Sequence, residues 1–278
     1  MRTQQDLHAE TFGAAGDPAI VLLHGAYGTL LHWDEPFCRR LADAGRFVVR
    51  YDLRGSGTFV AHEPYSMRDL AADAVGLLDG LGLERAHLVG LSLGGGVAQL
   101  VALDHPERVA ALTLAATTPG GPGHSQPDLP GPVDGLFADE PPAPDWGDRD
   151  AAIDYLVEAE RPYSPAFDEA AMRDLAGRVY DHSTDLEASF SDSLEFDMGE
   201  PWRHRLGEIT APTLVIHGAD DPMFPVAHGR ALAAEIPGAE LLVLDGVGHE
   251  YFPRRTWDTV VPAIRAMTDE EPLIARTT

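Results

Sequence analysis

The segment Ala86-His87-Leu88-Val89-Gly90-Leu91 is a largely apolar run that passes directly into Ser92-Leu93-Gly94 and a helix-compatible stretch, Gly95 to Leu103. A continuous apolar run suits a strand covered on both faces. For such a strand to turn into a helix within a few residues, the positions flanking the apex must be small. Gly90 and Gly94 satisfy this in the pattern Gly-x-Ser-x-Gly. At the apex the Ser92 hydroxyl would stand clear of the sheet. The free N–H groups and positive end of the following helix would point at its oxygen. Five residues can match this pattern by chance, so its weight comes from the strand before it, the helix after it and partners elsewhere in the chain.

The rest of the chain supports an α/β architecture. Strands are expected at Ala19–Leu23, Phe47–Asp52, Ala86–Leu91, Ala110–Ala115, Pro212–His217 and Glu240–Leu244. Between them, Met67, Leu70, Ala71, Ala74, Val75, Leu78 and Leu81 share a helical stripe with Ser66 as N-cap, and Val226–Ile236 and Thr256–Met267 read similarly. Strands alternating with helices imply a mostly parallel sheet flanked by helices. The alternation breaks near Pro119: residues 119–146 are crowded with Gly and Pro, acidic helical patterns run from Ala151 to about Phe196, and strand character returns at Pro212. This predicts a core of residues 1–118 and 207–278 with an inserted helical cap over 119–206. There is no internal repeat.

A chain of 278 residues with 44% hydrophobic and 23% charged residues has ample core for one large domain. Met1–Glu10 is polar, with no signal-peptide core, and no run approaches the roughly 18 apolar residues of a membrane helix, so a cytoplasmic location is expected. The net charge of −25 repels nucleic acid and anionic membrane surfaces, so neither is expected as a partner. All 20 basic residues are arginine, which excludes a lysine Schiff base and suggests a GC-rich genome. The single cysteine, Cys38, cannot form an internal disulfide, and its helical spacing with Phe37 and Leu41 marks a core thiol.

A nucleophilic serine needs a base, an acid that orients the base, and donors for the developing oxyanion. His249 lies in a Gly-rich loop, Asp245-Gly246-Val247-Gly248-His249, after the last expected strand. After the strand ending at His217, Asp220 and Asp221 compete for the acid role, because neighbours in a tight turn point in different directions. The alternative location, after Ala115, offers Thr117 and Thr118 but no carboxylate. The oxyanion donors would be the backbone N–H groups of Leu93 and of Ala26, in the loop His24-Gly25-Ala26-Tyr27-Gly28. The order Ser…Asp…His is the one that a strand–turn–helix serine predicts. No metal is expected, since the 12 histidines show no His-x-x-x-His spacing. Gly94–Gly96 lack the Gly-Lys-Ser/Thr of a phosphate loop.

With these residues in place the chain resembles the α/β-hydrolase superfamily over nearly its whole length. Tyr51-Asp52-Leu53-Arg54-Gly55-Ser56-Gly57 is similar to that family's Asp-x-Arg-Gly-x-Gly turn, with Ser56 where histidine is common. The turn is read as structural. The resemblance implies an eight-stranded, mostly parallel sheet. Its spacing rule, three residues after the strand-ending glycine and four before a proline, selects Asp221 from Gly218 and Pro225, with Asp220 as fallback. The motifs Ala-Asp-Asp-Pro-Met-Phe-Pro and Gly-Val-Gly-His are most similar to actinobacterial esterases of the aclacinomycin methylesterase type and to cofactor-free haloperoxidase-like relatives.

These residues imply a cofactor-free serine hydrolase that cleaves a carboxylic ester, such as a methyl ester or lactone of a bulky natural product, through an acyl-enzyme on Ser92. Carbon–carbon bond hydrolysis, lyase or perhydrolase chemistry with the same three residues is the alternative, as is a non-hydrolytic binding protein. Dehalogenase and epoxide hydrolase relatives carry aspartate where Ser92 stands. Tyr27, Trp33, Phe224 and Trp146 are the expected substrate contacts. Other cap aromatics, Tyr155, Tyr163, Phe167, Tyr180, Phe190, Phe196 and Trp202, are expected mainly to form the cap's own core. Residues 119–206 hold 20 acidic residues and 6 arginines. Where that charge faces the cleft, it favours a neutral or cationic small molecule.

Overall fold

The computed structural model describes residues 7–61, 63–138, 141–191 and 197–268. Its sheet contains β1 (Ala9–Phe12), β2 (Ala19–Leu23), β3 (Phe47–Tyr51), β4 (Ala86–Leu91), β5 (Val109–Ala115), β6 (Thr213–Gly218) and β7 (Glu240–Leu244), in the order β1-β3-β2-β4-β5-β6-β7. β1 pairs antiparallel with β3, and every other pairing is parallel. The described residues form seven strands rather than the expected eight. Ahead of β2 they offer only Leu7–Pro18, and that stretch, interrupted by Gly13 and Gly16, makes one short edge strand.

Every residue of β2, β3, β4 and β6 is buried, as continuously apolar strands covered on both faces should be. Side chains alternate between the faces. Val21 and Leu23 join one apolar cluster while Ile20 and Leu22 join the other. The first face is covered by α2 (Met67–Gly80), α3 (Leu93–Asp104) and α7 (Ala227–Glu235), through Met67, Leu70, Val97, Leu100 and Leu232. The second is covered by α1 (Glu35–Asp43) and α8 (Trp257–Ala266), through Phe37, Cys38, Leu41, Trp257 and Val260. Each large aliphatic side chain so buried contributes about 1.5–3 kcal/mol. Cys38 lies within this packing, and burial pushes its thiol up to about 12. Ser66 caps α2 as expected: its hydroxyl accepts from Asp69 N, and the Asp69 carboxylate accepts from Ser66 N at 2.8 Å.

β2 and β4 are neighbours, but the chain leaves β2 toward β3 on one side and leaves β4 toward β5 on the other. The loops beyond their C-terminal ends therefore diverge and leave a crevice at the sheet edge. The insertion between β5 and β6 carries α4 (Arg149–Glu160), α5 (Glu169–His182) and α6 (Leu186–Ser191), with a small apolar cluster around Ile153, Leu156, Val157, Ala176, Val179 and Leu186. Trp202 and Leu206 do not belong to that cluster. Both are fully buried in the core beside α3, where Trp202 Nε1 donates to Gln99 Oε1 at 3.2 Å. Phe196 lies outside the described residues. No described helix is long and apolar enough to cross a membrane.

Candidate active site

Ser92 sits between β4 and α3 with φ 51° and ψ −114°, left-handed backbone that costs a non-glycine residue about 1–3 kcal/mol. The surrounding hydrogen bonds over-determine it. Ser92 N donates to Ala115 O at 2.9 Å, and Ser92 O accepts from Gly95 N, Gly96 N and the Thr117 hydroxyl. The flanking glycines are a steric necessity. A Cβ on Gly90 would lie 2.2 Å from Gly94 O, and one on Gly94 would lie 2.4 Å from Leu23 O. The Ser92 side chain does not cap α3; its Oγ lies 3.1 Å from His249 Nε2.

His249 reaches back from the loop after β7, and its Nδ1 is 2.9 Å from Asp221 Oδ2. With Nδ1–H donating to this carboxylate, Nε2 is left to accept the Ser92 proton. Asp221 is 3% exposed, and its other oxygen accepts from Met223 N at 2.9 Å and Phe224 N at 2.8 Å. Burial pushes its carboxyl up, but the facing His249, His217 and the Phe224 N–H outweigh it, so the group lies below its ordinary value and is ionised. Asp220 is exposed and accepts only from Gly246 N among the described residues. The geometry thus brings Asp221, and not Asp220, to His249. His217 is buried and held neutral by desolvation, with its Nε2–H donating to Phe224 O at 2.6 Å.

The Leu93 N–H opens α3 and so has no intrahelical partner. Neither it nor the Ala26 N–H bonds to a described protein group, and both residues line one small hollow with Tyr27. The Tyr51–Gly57 turn mounts the Ala26 loop. Leu53 N donates to His24 Nε2 at 3.0 Å, the Ser56 hydroxyl lies 3.1 Å from the same nitrogen, and His24 Nδ1–H donates to Gly25 O at 2.8 Å. Burial keeps this histidine neutral.

Under the insertion lies a cavity of about 540 Å³ walled by Tyr27, Trp146, Tyr155, Tyr163 and Phe190. Its acidic lining residues are Asp134, Glu158, which pairs with Arg161 at 2.7 Å, and Glu160; no arginine is in the lining. Ser92, 8% exposed, and His249 are not in its wall; the wall includes Tyr27, next to Ala26, Pro222, next to Asp221, and Tyr163, whose carbonyl accepts the His249 N–H at 2.9 Å. Glu160 faces His249, and its carboxyl is pushed up mainly by burial.

Of the expected substrate contacts, Tyr27 and Trp146 border the cavity, and Tyr27 stacks on Phe190 at 5.0 Å. Phe224 sets its edge against His249 at 5.4 Å but lines a separate hollow of about 150 Å³. Trp33 is a correction. It is 1% exposed and packs with Phe37, Phe252 and Tyr251 in the core, because the 3₁₀ turn Leu30–His32 swings it under the sheet edge. Glu160 and Tyr251 carry no motif in the sequence. Helical spacing of Glu160 with Leu156 was the only signal, and it does not say which end of α4 meets the site. Among the described residues no group of three or more His, Cys, Asp or Glu side chains could hold a metal.

A family profile described as "alpha/beta hydrolase fold" matches residues 18–253. The chain is 32% identical to rhodomycin D methylesterase DauP of Streptomyces sp. (strain C5), over 94% of each chain. It is 33% identical to a 2-hydroxy-6-oxononadienedioate/2-hydroxy-6-oxononatrienedioate hydrolase of Burkholderia vietnamiensis, over 89% of this chain and 85% of that one. Among solved structures, esterase RhEst1 from Rhodococcus sp. ECU1013 superposes with a TM-score of 0.74 at 25% identity, covering 94% of this chain and 95% of the other. Fold, serine turn and relatives agree: the chain belongs to the α/β-hydrolase fold family and is a hydrolase.

Proposed function

We propose that this hydrolase cleaves a carboxylic ester through an acyl-enzyme on Ser92. The observation that carries the reading is the continuous chain Ser92 Oγ–His249 Nε2 (3.1 Å) and His249 Nδ1–Asp221 Oδ2 (2.9 Å), beside two unengaged amides. In this mechanism Ser92 Oγ attacks the ester carbonyl as His249 takes its proton. The oxyanion accepts hydrogen bonds from Ala26 N–H and Leu93 N–H at the positive end of α3. His249 then returns the proton to the leaving alcohol. Water activated by the same imidazole releases the acid, and Asp221 stabilises the imidazolium in both halves. No cofactor takes part.

Within residues 119–206, the helices α4, α5 and α6 serve as the cap that selects the substrate. A cavity of about 540 Å³ with five aromatic walls suits a bulky, apolar ester, and an acidic lining without an arginine suits a neutral or cationic one. The methylesterase relative supports a methyl ester, and a lactone of a bulky natural product is the other substrate form of this reading. Carbon–carbon bond hydrolysis is disfavoured here: a dioate such as the one in the Burkholderia relative's name brings two negative charges into an acidic cavity. A cytoplasmic setting completes the reading.

Intact-mass analysis after treatment with a small fluorophosphonate, with peptide mapping, tests it. One adduct on Ser92, absent in Ser92→Ala, together with turnover of neutral methyl esters by the native chain and a loss of roughly 10⁵-fold or more in that folded variant, is expected. No adduct on Ser92, or turnover of a vinylogous diketone acid but of no ester, overturns it.

A further inference from the structure

We infer that Tyr251 is a positioning residue that aims the Ala26 amide at the oxyanion and ties that aim to the placement of His249. The inference rests on the ester-hydrolase reading above. The Tyr251 hydroxyl oxygen accepts the Gly25 N–H at 2.8 Å, across 226 residues of sequence. Gly25 lies against the nucleophile, since a Cβ built on it would sit 3.4 Å from Ser92 Cβ. The next peptide unit, made of Gly25 C=O and Ala26 N–H, is held from its carbonyl side: His24 Nδ1–H donates to Gly25 O at 2.8 Å and Gly28 N–H at 3.2 Å. A peptide unit is planar, with its C=O and N–H pointing in opposite directions. Holding Gly25 O therefore turns the Ala26 N–H the other way, toward open space. Tyr251 fixes the plane before it, and two successive planes held in this way leave the Ala26 amide little freedom.

The ring itself is clamped. Trp33 meets it edge-on at 5.2 Å and 88°, and His32 lies at 5.4 Å. Trp33 is anchored in turn by the Arg50 guanidinium, which donates to its carbonyl. The tryptophan expected to touch substrate thus acts one step back, as the wall behind Tyr251. Because Tyr251 follows His249 by two residues, one phenol joins the loop that carries the candidate base to the loop that carries the first oxyanion donor. A displacement of either loop moves the other.

The test is Tyr251→Phe, which keeps the ring and removes the acceptor. It is measured with p-nitrophenyl acetate and its thionoester, in which sulfur replaces the carbonyl oxygen and accepts hydrogen bonds poorly. The expected result is a kcat about 10- to 100-fold lower on the oxygen ester with KM changed less than about 3-fold. The oxygen-to-sulfur rate ratio should fall with it, and the melting temperature should stay within about 2 °C. A ring that only fills space would leave that ratio unchanged, and an unchanged ratio overturns the inference. Should Tyr251→Phe fail to fold, 3,5-difluorotyrosine at position 251 weakens the acceptor without removing it. The ratio should again fall, and a constant ratio again overturns the assignment. Native protein that takes no fluorophosphonate on Ser92 would instead overturn the ester-hydrolase reading, and this inference with it.

Discussion

Asp220 and Asp221 are adjacent, chemically identical and unequal in what surrounds them. Asp221 is buried, accepts two backbone N–H bonds and faces His249, whereas Asp220 is exposed at a turn. Asp221→Asn should therefore lower kcat by about 10⁴-fold, by presenting a donor to His249 Nδ1 and reversing the imidazole tautomer. Asp220→Asn should stay within about 3-fold, and steady-state kinetics on one ester separates the two. Ser92 and His249 were legible because a Gly-flanked apex after a core strand and a Gly-rich loop after the last strand leave few other readings. The choice of Asp221 needed the family's spacing, since local sequence does not reveal which of two neighbours turns inward. Tyr251 carried no signal at all: its hydrogen bond joins segments at opposite ends of the chain, and only the folded sheet brings them together.

At the scale of elements, α5 is latched to the core by its last residue. His182 Nε2–H donates to Asp52 Oδ2 at 2.7 Å, and Thr184 N donates to Gly57 O at 2.9 Å. Burial pushes the Asp52 carboxyl up, but His182, Leu30 N–H and Thr58 N–H more than reverse this, and the group lies below its ordinary value. The Asp52 bond raises His182 above its ordinary value; Glu10 raises it further, while burial and Arg50 oppose. His8 also packs edge-on against its ring. A raised histidine contributes stability that is full below about pH 6.5 and lost as pH rises through its folded value. The lowered carboxylate contributes above about pH 4 and is lost on acidification. The latch is thus strongest on the mildly acidic side of neutrality. His182→Ala should lower the melting temperature by about 3 °C or more at pH 6 and by less at pH 9, as differential scanning calorimetry would show. Strands and flanking helices could be read from unbroken apolar runs and helical stripes. The end of the insertion could not, because Trp202 and Leu206 follow an acidic helical stretch and yet pack against α3.

For the molecule as a whole, a net charge of −25 and an acidic cavity lining act in the same direction on a ligand. Raising ionic strength from about 20 mM to about 500 mM should increase KM for a quaternary-ammonium ester several-fold, while KM for a neutral ester of similar size stays constant. Equal salt responses would show that this charge does not act on the bound ligand. The insertion also does more than enclose space. Tyr163 holds the His249 amide through its carbonyl, and the Ser164 hydroxyl donates to Glu250 at 2.8 Å, so the candidate base rests on chain that the sheet does not own. Descent with changing specificity is therefore constrained unevenly within a single segment. Substitutions at Trp146, Tyr155 and Phe190 reshape the cavity away from the loop that carries His249, whereas Tyr163 and Ser164 are bonded to that loop. A transplanted insertion would need to bring Tyr163 and Ser164 in register, or deliver its new substrate to an imidazole that has lost its footing.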